Sequence, residues 1–291
     1  MQSLLGATLR AKMHAETADM NGNQEIGKLY ECVCGIARDA GAAILEVYDR
    51  ADFEVRMKSD DSPLTAADLA AHKVIVAGLE AVGDIPVLSE ESDSIPWSER
   101  QNWDRYWLVD PLDGTKEFVS RNGEFTVNIA LIDAGAPVLG VVYVPITDVL
   151  YVGLQGDAPE AWIEDAAGRR PIRVRSLGTD SITVMGSRRH GSDALEACLA
   201  RLRNRFAEVN MTSMGSSLKI CLVAAGKADL YPRLAPTCEW DTAAAQGVVE
   251  AAGGCVVDAN LEILRYNTKD DLVNPHFYVM GDRAQDWAGI L

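Results

Sequence analysis

The sequence predicts an α/β protein made of two unlike halves, α+β toward the N-terminus and α/β toward the C-terminus. Three observations lead there. A long amphipathic helical pattern and a second, capped helix come first. Four apolar runs separated by turn residues follow between 125 and 164, and beyond residue 180 strand-like and helix-like segments alternate. A chain of 291 residues can bury a sizeable core, and 48% hydrophobic with 24% charged residues is ordinary for a globular enzyme. The net charge of −16 argues against nucleic acid or an anionic membrane as a partner through bulk electrostatics, and it means that an anionic ligand needs a local reversal of field.

Residues 1–23 are polar, carry Asn21-Gly22-Asn23 and have no periodicity, so they are expected to be a loose extension. Residues 24–175 and 176–291 are expected to form two subdomains. From Ile26, apolar residues at Leu29, Val33, Ile36, Ala37, Ala40, Ile44 and Tyr48 hold a helical period. Within it, Cys32 to Arg38 matches the C-x5-R pattern of cysteine phosphatases. That chemistry requires a tight phosphate loop and an activated thiol, for which an unbroken helix leaves no room. The six cysteines contain no C-x-x-C pair and read as reduced thiols.

Phe53 to Lys58 alternates like an edge strand, Ser59 to Thr65 reads as a loop, and Thr65 is a suitable N-cap for a helix from Ala66 to about Ala81. Asp68, three residues on, fits a capping box. Pro86 to Ser89 is a short buried strand ending in Glu90-Glu91. Tyr106 to Val109 is another, running into Asp110-Pro111-Leu112-Asp113-Gly114-Thr115. Phe125–Ile132, Val138–Val144, Val149–Leu154 and Ala161–Glu164 read as an antiparallel meander. The apolar window Pro137–Leu154 is two of these strands, not a membrane span. No transmembrane segment is expected. Gly168–Asp180 is a polar connection. Strands at 182–186, 206–211, 229–232, 255–258 and 277–280 and helices at 193–202, 217–225 and 242–252 complete the chain.

The Asp110–Asp113 stretch carries the chemistry. Asp at the first position and Pro at the second suit a type I turn, which sets both carboxylates on one side. At ~5 Å and an effective dielectric of ~20 two such charges repel by about 3 kcal/mol, so they call for a cation. Every donor there is oxygen and no His or Cys adjoins it, which selects a hard cation. The Leu112 carbonyl is available as a further ligand, and the amides after Gly114 suit a phosphate oxygen. A plain solvated turn is the alternative. The aspartyl-phosphate phosphatases, with D-x-D-G-T, are excluded by one extra residue. Asp241, at the start of an Ala-rich helix, can likewise be a mere cap. Glu90, Asp110, Asp113 and Asp241 at separate element ends make a stronger case together, since converging carboxylates hold paired Mg²⁺ ions.

Read together, Leu64-Thr65-Ala-Ala-Asp68, Leu88-Ser89-Glu90-Glu91, Trp107-Leu-Val-Asp110-Pro-Leu-Asp113-Gly-Thr115 and Trp240-Asp241-Thr-Ala-Ala resemble the inositol monophosphatase superfamily of metal-dependent, lithium-sensitive phosphatases. Asp-Gly-Thr-Lys116-Glu-Phe118, Arg121-Asn-Gly-Glu-Phe-Thr-Val-Asn-Ile-Ala, Gly215-Ser-Ser-Leu-Lys219 and Leu230-Tyr-Pro-Arg233 resemble its bacterial 3'(2'),5'-bisphosphate nucleotidase branch. Inositol-specific members usually have Thr-Asn-Phe after Asp-Gly-Thr. The resemblance runs from about residue 25 to the C-terminus.

It implies a layered αβαβα sandwich and a phosphatase that releases the 3'-phosphate of adenosine 3',5'-bisphosphate to give AMP, a reaction of sulfur assimilation. It assigns two or three Mg²⁺ ions to Glu90, Asp110, the Leu112 carbonyl, Asp113 and Asp241. Asp68 and Thr115 would orient and deprotonate the attacking water, with Glu90 assisting. Glu90, Leu112, Asp113, Gly114, Thr115 and Asp241 would contact the scissile phosphate. Ser216, Lys219 and Arg233 would hold the remaining phosphate and sugar of the nucleotide. The resemblance further implies a cytoplasmic protein, with some bacterial relatives peripheral on the cytoplasmic face of the inner membrane. Monomer and homodimer both stay open. Gly186 to His190 departs from its relatives at Arg189.

Overall fold

The computed structural model describes residues 27, 29–50, 55–57, 63–92, 94–186 and 193–291. The expected extension at 1–23, the loop at 59–62 and the segment from 187 to 190 that departs from its relatives at Arg189 lie outside these residues. Helix α1 (29–48) and helix α2 (Ala66–Val82) pack on one face of a seven-stranded sheet. That sheet has the order β3 (Val87–Ser89), β4 (Arg105–Asp113), β5 (Thr126–Asp133), β6 (Ala136–Val144), β7 (Val149–Leu154), β8 (Glu160–Asp165) and β9 (Gly168–Pro171). Only β3–β4 is parallel; the rest is the expected meander. A short hairpin, β1 (Val55–Met57) with β2 (Pro63–Thr65), precedes α2.

Alternation along β4 explains the layering. Trp107 and Val109 point to α1 and α2, while Tyr106 and Leu108 point to the opposite face. There they meet α6 (Leu218–Ala224) and α7 (Ala243–Ala251), which are apolar around most of their circumference because a second sheet covers their far side. The second sheet has the order β11 (Glu208–Ser213), β10 (Ser181–Gly186), β12 (Leu230–Arg233), β14 (Phe277–Met280) and β13 (Cys255–Asp258). Its outer face packs against α5 (Asp193–Arg205) through Leu199 and Leu202. The order is therefore helix, sheet, helix, sheet, helix, as the resemblance implied.

Some boundaries differ from the sequence reading, for local reasons. Gly168–Pro171, read as part of a polar connection, is an edge strand that is exposed along its length, so it shows no apolar alternation. Pro63–Thr65, read as loop, pairs with β1. The strand expected from 206 begins at Glu208. Phe206 instead directly follows α5, its N–H donating back to the Leu202 carbonyl at 2.9 Å while its ring joins the outer core. Cys32, the thiol of the C-x5-R match, lies with Arg38 in the continuous helix α1, so the tight phosphate loop that chemistry requires is absent there. The six cysteines are all free, and no helix among the described residues is long and apolar enough to cross a membrane.

Helix α7 lies against the sheet where glycines leave room. A Cβ on Gly140 of β6 would overlap the Ala244 carbonyl, and one on Gly153 of β7 would overlap the Gly247 carbonyl. Gly140→Ala is therefore expected to destabilise the protein by about 1–3 kcal/mol through overpacking, read as a lower denaturant midpoint with an unchanged slope. An unchanged midpoint would mean that α7 can move away from the sheet without penalty.

Candidate active site

Strand β4 runs on through Asp113 and does not break into the type I turn expected at Asp110. Asp110 faces Asn128 and Asp113 faces Thr126, so three steps on β4 oppose two on β5. This is a β-bulge, and it suits Pro111, which has no N–H to give to a ladder. The bulge has a chemical consequence. In a regular strand positions i and i+3 point to opposite faces, and one extra residue restores them to the same face. The carboxylates of Asp110 and Asp113 thus converge, with the Leu112 N–H donating to Asp110 Oδ1 at 3.0 Å.

Asp241 reaches them from the other half of the chain. It ends a 3-10 turn, Glu239–Asp241, just before α7, and its Oδ2 accepts from the Cys238 N–H at 2.9 Å. Carboxylate oxygens of Asp110, Asp113 and Asp241 lie within 4.8 Å of one another. Glu90 follows β3, its N–H donating to the Val109 carbonyl at 3.1 Å, which sets its side chain within hydrogen-bonding reach of Asp110. Burial first, then the charges of Glu90, Asp113 and Asp241, raise Asp110 far above the ordinary carboxylate range. Burial and Asp113 push Asp241 up to about 8. Such mutual repulsion in an all-oxygen cluster is what a hard divalent cation relieves, so these residues fit one.

Thr115 and Asp68 stand beside the cluster. Thr115 Oγ1 lies 3.3 Å from Asp68 Oδ1 and 3.3 Å from the Leu112 carbonyl. Asp68 Oδ2 accepts from the Thr65 N–H at 2.8 Å and the Thr65 hydroxyl at 2.6 Å, which is the capping box expected at the start of α2. The cap and the site share one carboxylate, an oxygen to each. Gly114 precedes α4 (Thr115–Val119) with φ +91°, and a Cβ there would come 3.1 Å from the Glu124 carbonyl. Only glycine adopts that turn without strain.

A cleft of about 270 Å³ leads from the cluster between Lys116, Met214, Ser216, Tyr231, Arg233 and Thr237. The three cleft residues read from sequence play different parts. Ser216, with φ +47°, forms the turn before α6. Lys219 is 6% exposed, not a surface charge, and its ammonium donates to the Ser216 carbonyl at 2.7 Å and the Met214 carbonyl at 3.2 Å. Burial lowers its pKa to about 8. Arg233 donates to the Pro236 carbonyl at 2.9 Å and keeps a buried Nε with no partner.

Sequence reasoning missed the shell that supports Asp113. Its Oδ2 accepts from the Ser217 N–H and, at 3.3 Å, from Asn128 Nδ2. The Ser217 hydroxyl donates to Asn128 Oδ1 and links to the Thr126 hydroxyl, each at 2.9 Å. Glu124 joins the same region, its Oε2 accepting from the Gly215 N–H at 2.7 Å. The signal was Asn128, a polar residue inside an otherwise apolar central strand.

A bulge that brings two carboxylates of β4 to a third on the turn before α7, next to a cleft lined by Lys116 and Arg233, defines a metal-assisted, phosphate-handling enzyme. Residues 25–286 match the inositol monophosphatase family, and the chain belongs to it. It is 52% identical over 253 residues to the 3'(2'),5'-bisphosphate nucleotidase CysQ of Salmonella typhimurium, covering 86% of this chain and 99% of that protein. The CysQ of Escherichia coli K12 is 51% identical over 249 residues, covering 85% and 97%. Among solved structures, CysQ from Bacteroides thetaiotaomicron superposes with a TM-score of 0.77 at 43% identity, over 87% of this chain and 97% of that one. An inositol monophosphatase from Thermotoga maritima shares the fold with a TM-score of 0.71 at 22% identity, over 90% and 95%.

The electrostatics give a prediction with a definite sign. A carboxylate whose folded pKa is raised binds more protons folded than unfolded, so its contribution falls as pH rises from its ordinary value toward the raised one. For Asp241 that window is from 3.8 to about 8. The cation-free protein, held in chelator, should therefore melt at a lower temperature at pH 8 than at pH 5, and a saturating divalent cation should make the slope shallower. Equal melting temperatures in chelator would contradict the repulsion.

Proposed function

We infer that this chain is a 3'(2'),5'-bisphosphate nucleotidase that removes the 3'-phosphate of adenosine 3',5'-bisphosphate to leave AMP and phosphate. The observation that carries the substrate class is the cleft itself. It joins a carboxylate cluster that calls for cations to a second anion-compatible region around Arg233, which is what a nucleotide with two phosphates requires. Lys116, where inositol-specific members usually carry Thr, lines the same cleft.

Glu90, Asp110, the Leu112 carbonyl, Asp113 and Asp241 are the residues proposed to hold the cation, and their oxygen-only chemistry suits Mg²⁺, two or three ions in all. Such ions offset charge on the phosphoryl oxygens and the leaving oxygen and make water more acidic. The remaining work falls to side chains and amides of this chain. Thr115 Oγ1 passes its own proton to Asp68 Oδ1 as it takes one from the attacking water, because Asp68 Oδ2 is engaged by Thr65. That water forms the new P–O bond as the bond from phosphorus to the ribose oxygen breaks. Gly114 and Thr115 present amides that open α4, outside its hydrogen-bond ladder, to the reacting phosphate. Lys219 spends two donors on the 214–216 turn, so it supports the second phosphate through charge and loop shape. Arg233 is the group proposed to contact it. The same reading assigns the protein to the cytoplasm and asks for no nucleic acid partner.

A panel of adenosine 3',5'-bisphosphate, inositol 1-phosphate and fructose 1,6-bisphosphate in Mg²⁺ tests the function. The nucleotide should give the highest kcat/KM. A preference for either sugar phosphate would move the protein to another branch of the family, and no turnover at all would leave a binding protein.

Arg233→Ala tests the subsite. Hydrogen bonds to a charged group contribute ~1.5–3 kcal/mol, so kcat/KM for the bisphosphate should fall by about ten- to a hundredfold. Turnover of 3'-AMP, which lacks the second phosphate, should hardly change. Equal losses on both substrates would place Arg233 with the reacting phosphate or the fold.

A further inference from the structure

Asp241 sits on a turn that has little structure of its own. The 237–242 segment is suspended from the loop at 267–274. The Glu239 N–H donates to the Leu272 carbonyl at 2.9 Å, and the Asn274 N–H donates to the Thr237 carbonyl at 2.8 Å. Asn274 Nδ2 reaches the Cys238 carbonyl at 2.8 Å and the Thr242 hydroxyl at 3.0 Å. The placement of the Asp241 carboxylate therefore depends on where this loop lies.

A single buried cation fixes the loop. Arg100, 2% exposed, ends the short helix α3 (Trp97–Arg100), five residues before the strand that carries Asp110 and Asp113. Its guanidinium donates to Asn267 Oδ1 at 2.7 Å, to the Lys269 carbonyl at 3.1 Å and to the Asp270 carbonyl, and it lies 4.8 Å from the Trp97 ring centre. Asn267 answers with its side-chain amide on the Arg100 carbonyl. Its own N–H donates to Glu239 Oε2 at 2.8 Å, and its φ is +53°. Glu239, 2% exposed, is two residues from Asp241. A continuous chain of contacts thus runs from the root of the strand that bears two cluster carboxylates to the turn that bears the third.

We infer that Arg100, acting through Asn267 and Glu239, is a positioning residue for Asp241: it sets the register between the Asp241 turn and the bulged strand in which the carboxylates form one cation site. Lysine cannot take its place, since three acceptors lie around one planar fork. The inference rests on Asp241 being a cation ligand, and its test separates the two.

The test is calorimetric titration of Mn²⁺ into the full-length, chelator-stripped protein without substrate. Removing a positive charge would, by electrostatics alone, tighten cation binding, whereas loss of positioning weakens it. Arg100→Met should bind Mn²⁺ ten- to a hundredfold more weakly, the loss usual when a group behind a metal ligand is removed. Asn267→Gly changes no charge, tolerates the left-handed backbone and keeps the N–H to Glu239, and it should also weaken binding. It decides the matter alone should Arg100→Met not fold. Leu199→Ala, destabilised by a cavity in the outer core under α5, should bind as the parent does, which excludes instability as the cause. Asp241→Asn reports on the ligand. If it binds normally, Asp241 is not a ligand and the underlying assignment fails. If it binds weakly while Asn267→Gly matches the parent, the ligand stands and the positioning role is overturned.

Discussion

Everything at this site follows from forcing like charges together where water is scarce. Asp110, Asp113 and Asp241 present oxygens within 4.8 Å of one another, with Glu90 beside them, and burial is the first cause of the raised pKa of each of the three aspartates. Left to themselves these groups would separate or take up protons. Backbone amides prevent the first: Leu112 holds Asp110, Ser217 holds Asp113 and Cys238 holds Asp241. Each such bond favours the charged form, so the protein keeps the cluster ready for a cation and bears the repulsion until one arrives.

The second half of the chain is needed because no single strand can collect these groups. The bulge turns two carboxylates to one face. The third comes from the helix layer, at the start of α7, and so does the Ser217 amide at the start of α6 that steadies Asp113. Close approach of the backbones makes this work. A Cβ on Gly215 would stand 2.6 Å from the Glu124 carbonyl, so the glycine allows its turn to rest on the segment after α4. The Glu124 carboxylate then fastens it.

Two cations in a strongly acidic chain divide the labour. Lys219 is a compact charge with three donors, and burying it against the Met214 and Ser216 carbonyls costs it some of its basicity while shaping the wall of the cleft. Arg233 offers a planar edge of several donors. Its Nε lies buried without an acceptor, an arrangement that a phosphate oxygen in the cleft would complete.

The sequence alone determined the order of helices and strands, because periodicity and turn chemistry are local. It also marked Asp68, Glu90, Asp110, Asp113, Thr115 and Asp241, since carboxylates at the ends of apolar runs stand out. The resemblance added the layered architecture and the roles of Ser216, Lys219 and Arg233. What it could not determine was how those ends meet. Whether Asp110-Pro-Leu-Asp113 forms a turn or a bulge depends on pairing with Asn128 and Thr126, a partner strand that β4 does not encode. The exposed strand at 168–171 exists only because β8 offers it an edge, and Lys219 is buried only because the 214–216 turn folds over it. Asn128, Ser217, Glu124 and Arg100 act through contacts 89 to 170 residues apart in the chain. Such pairings are decided by packing between sheets, so tertiary structure alone discloses them.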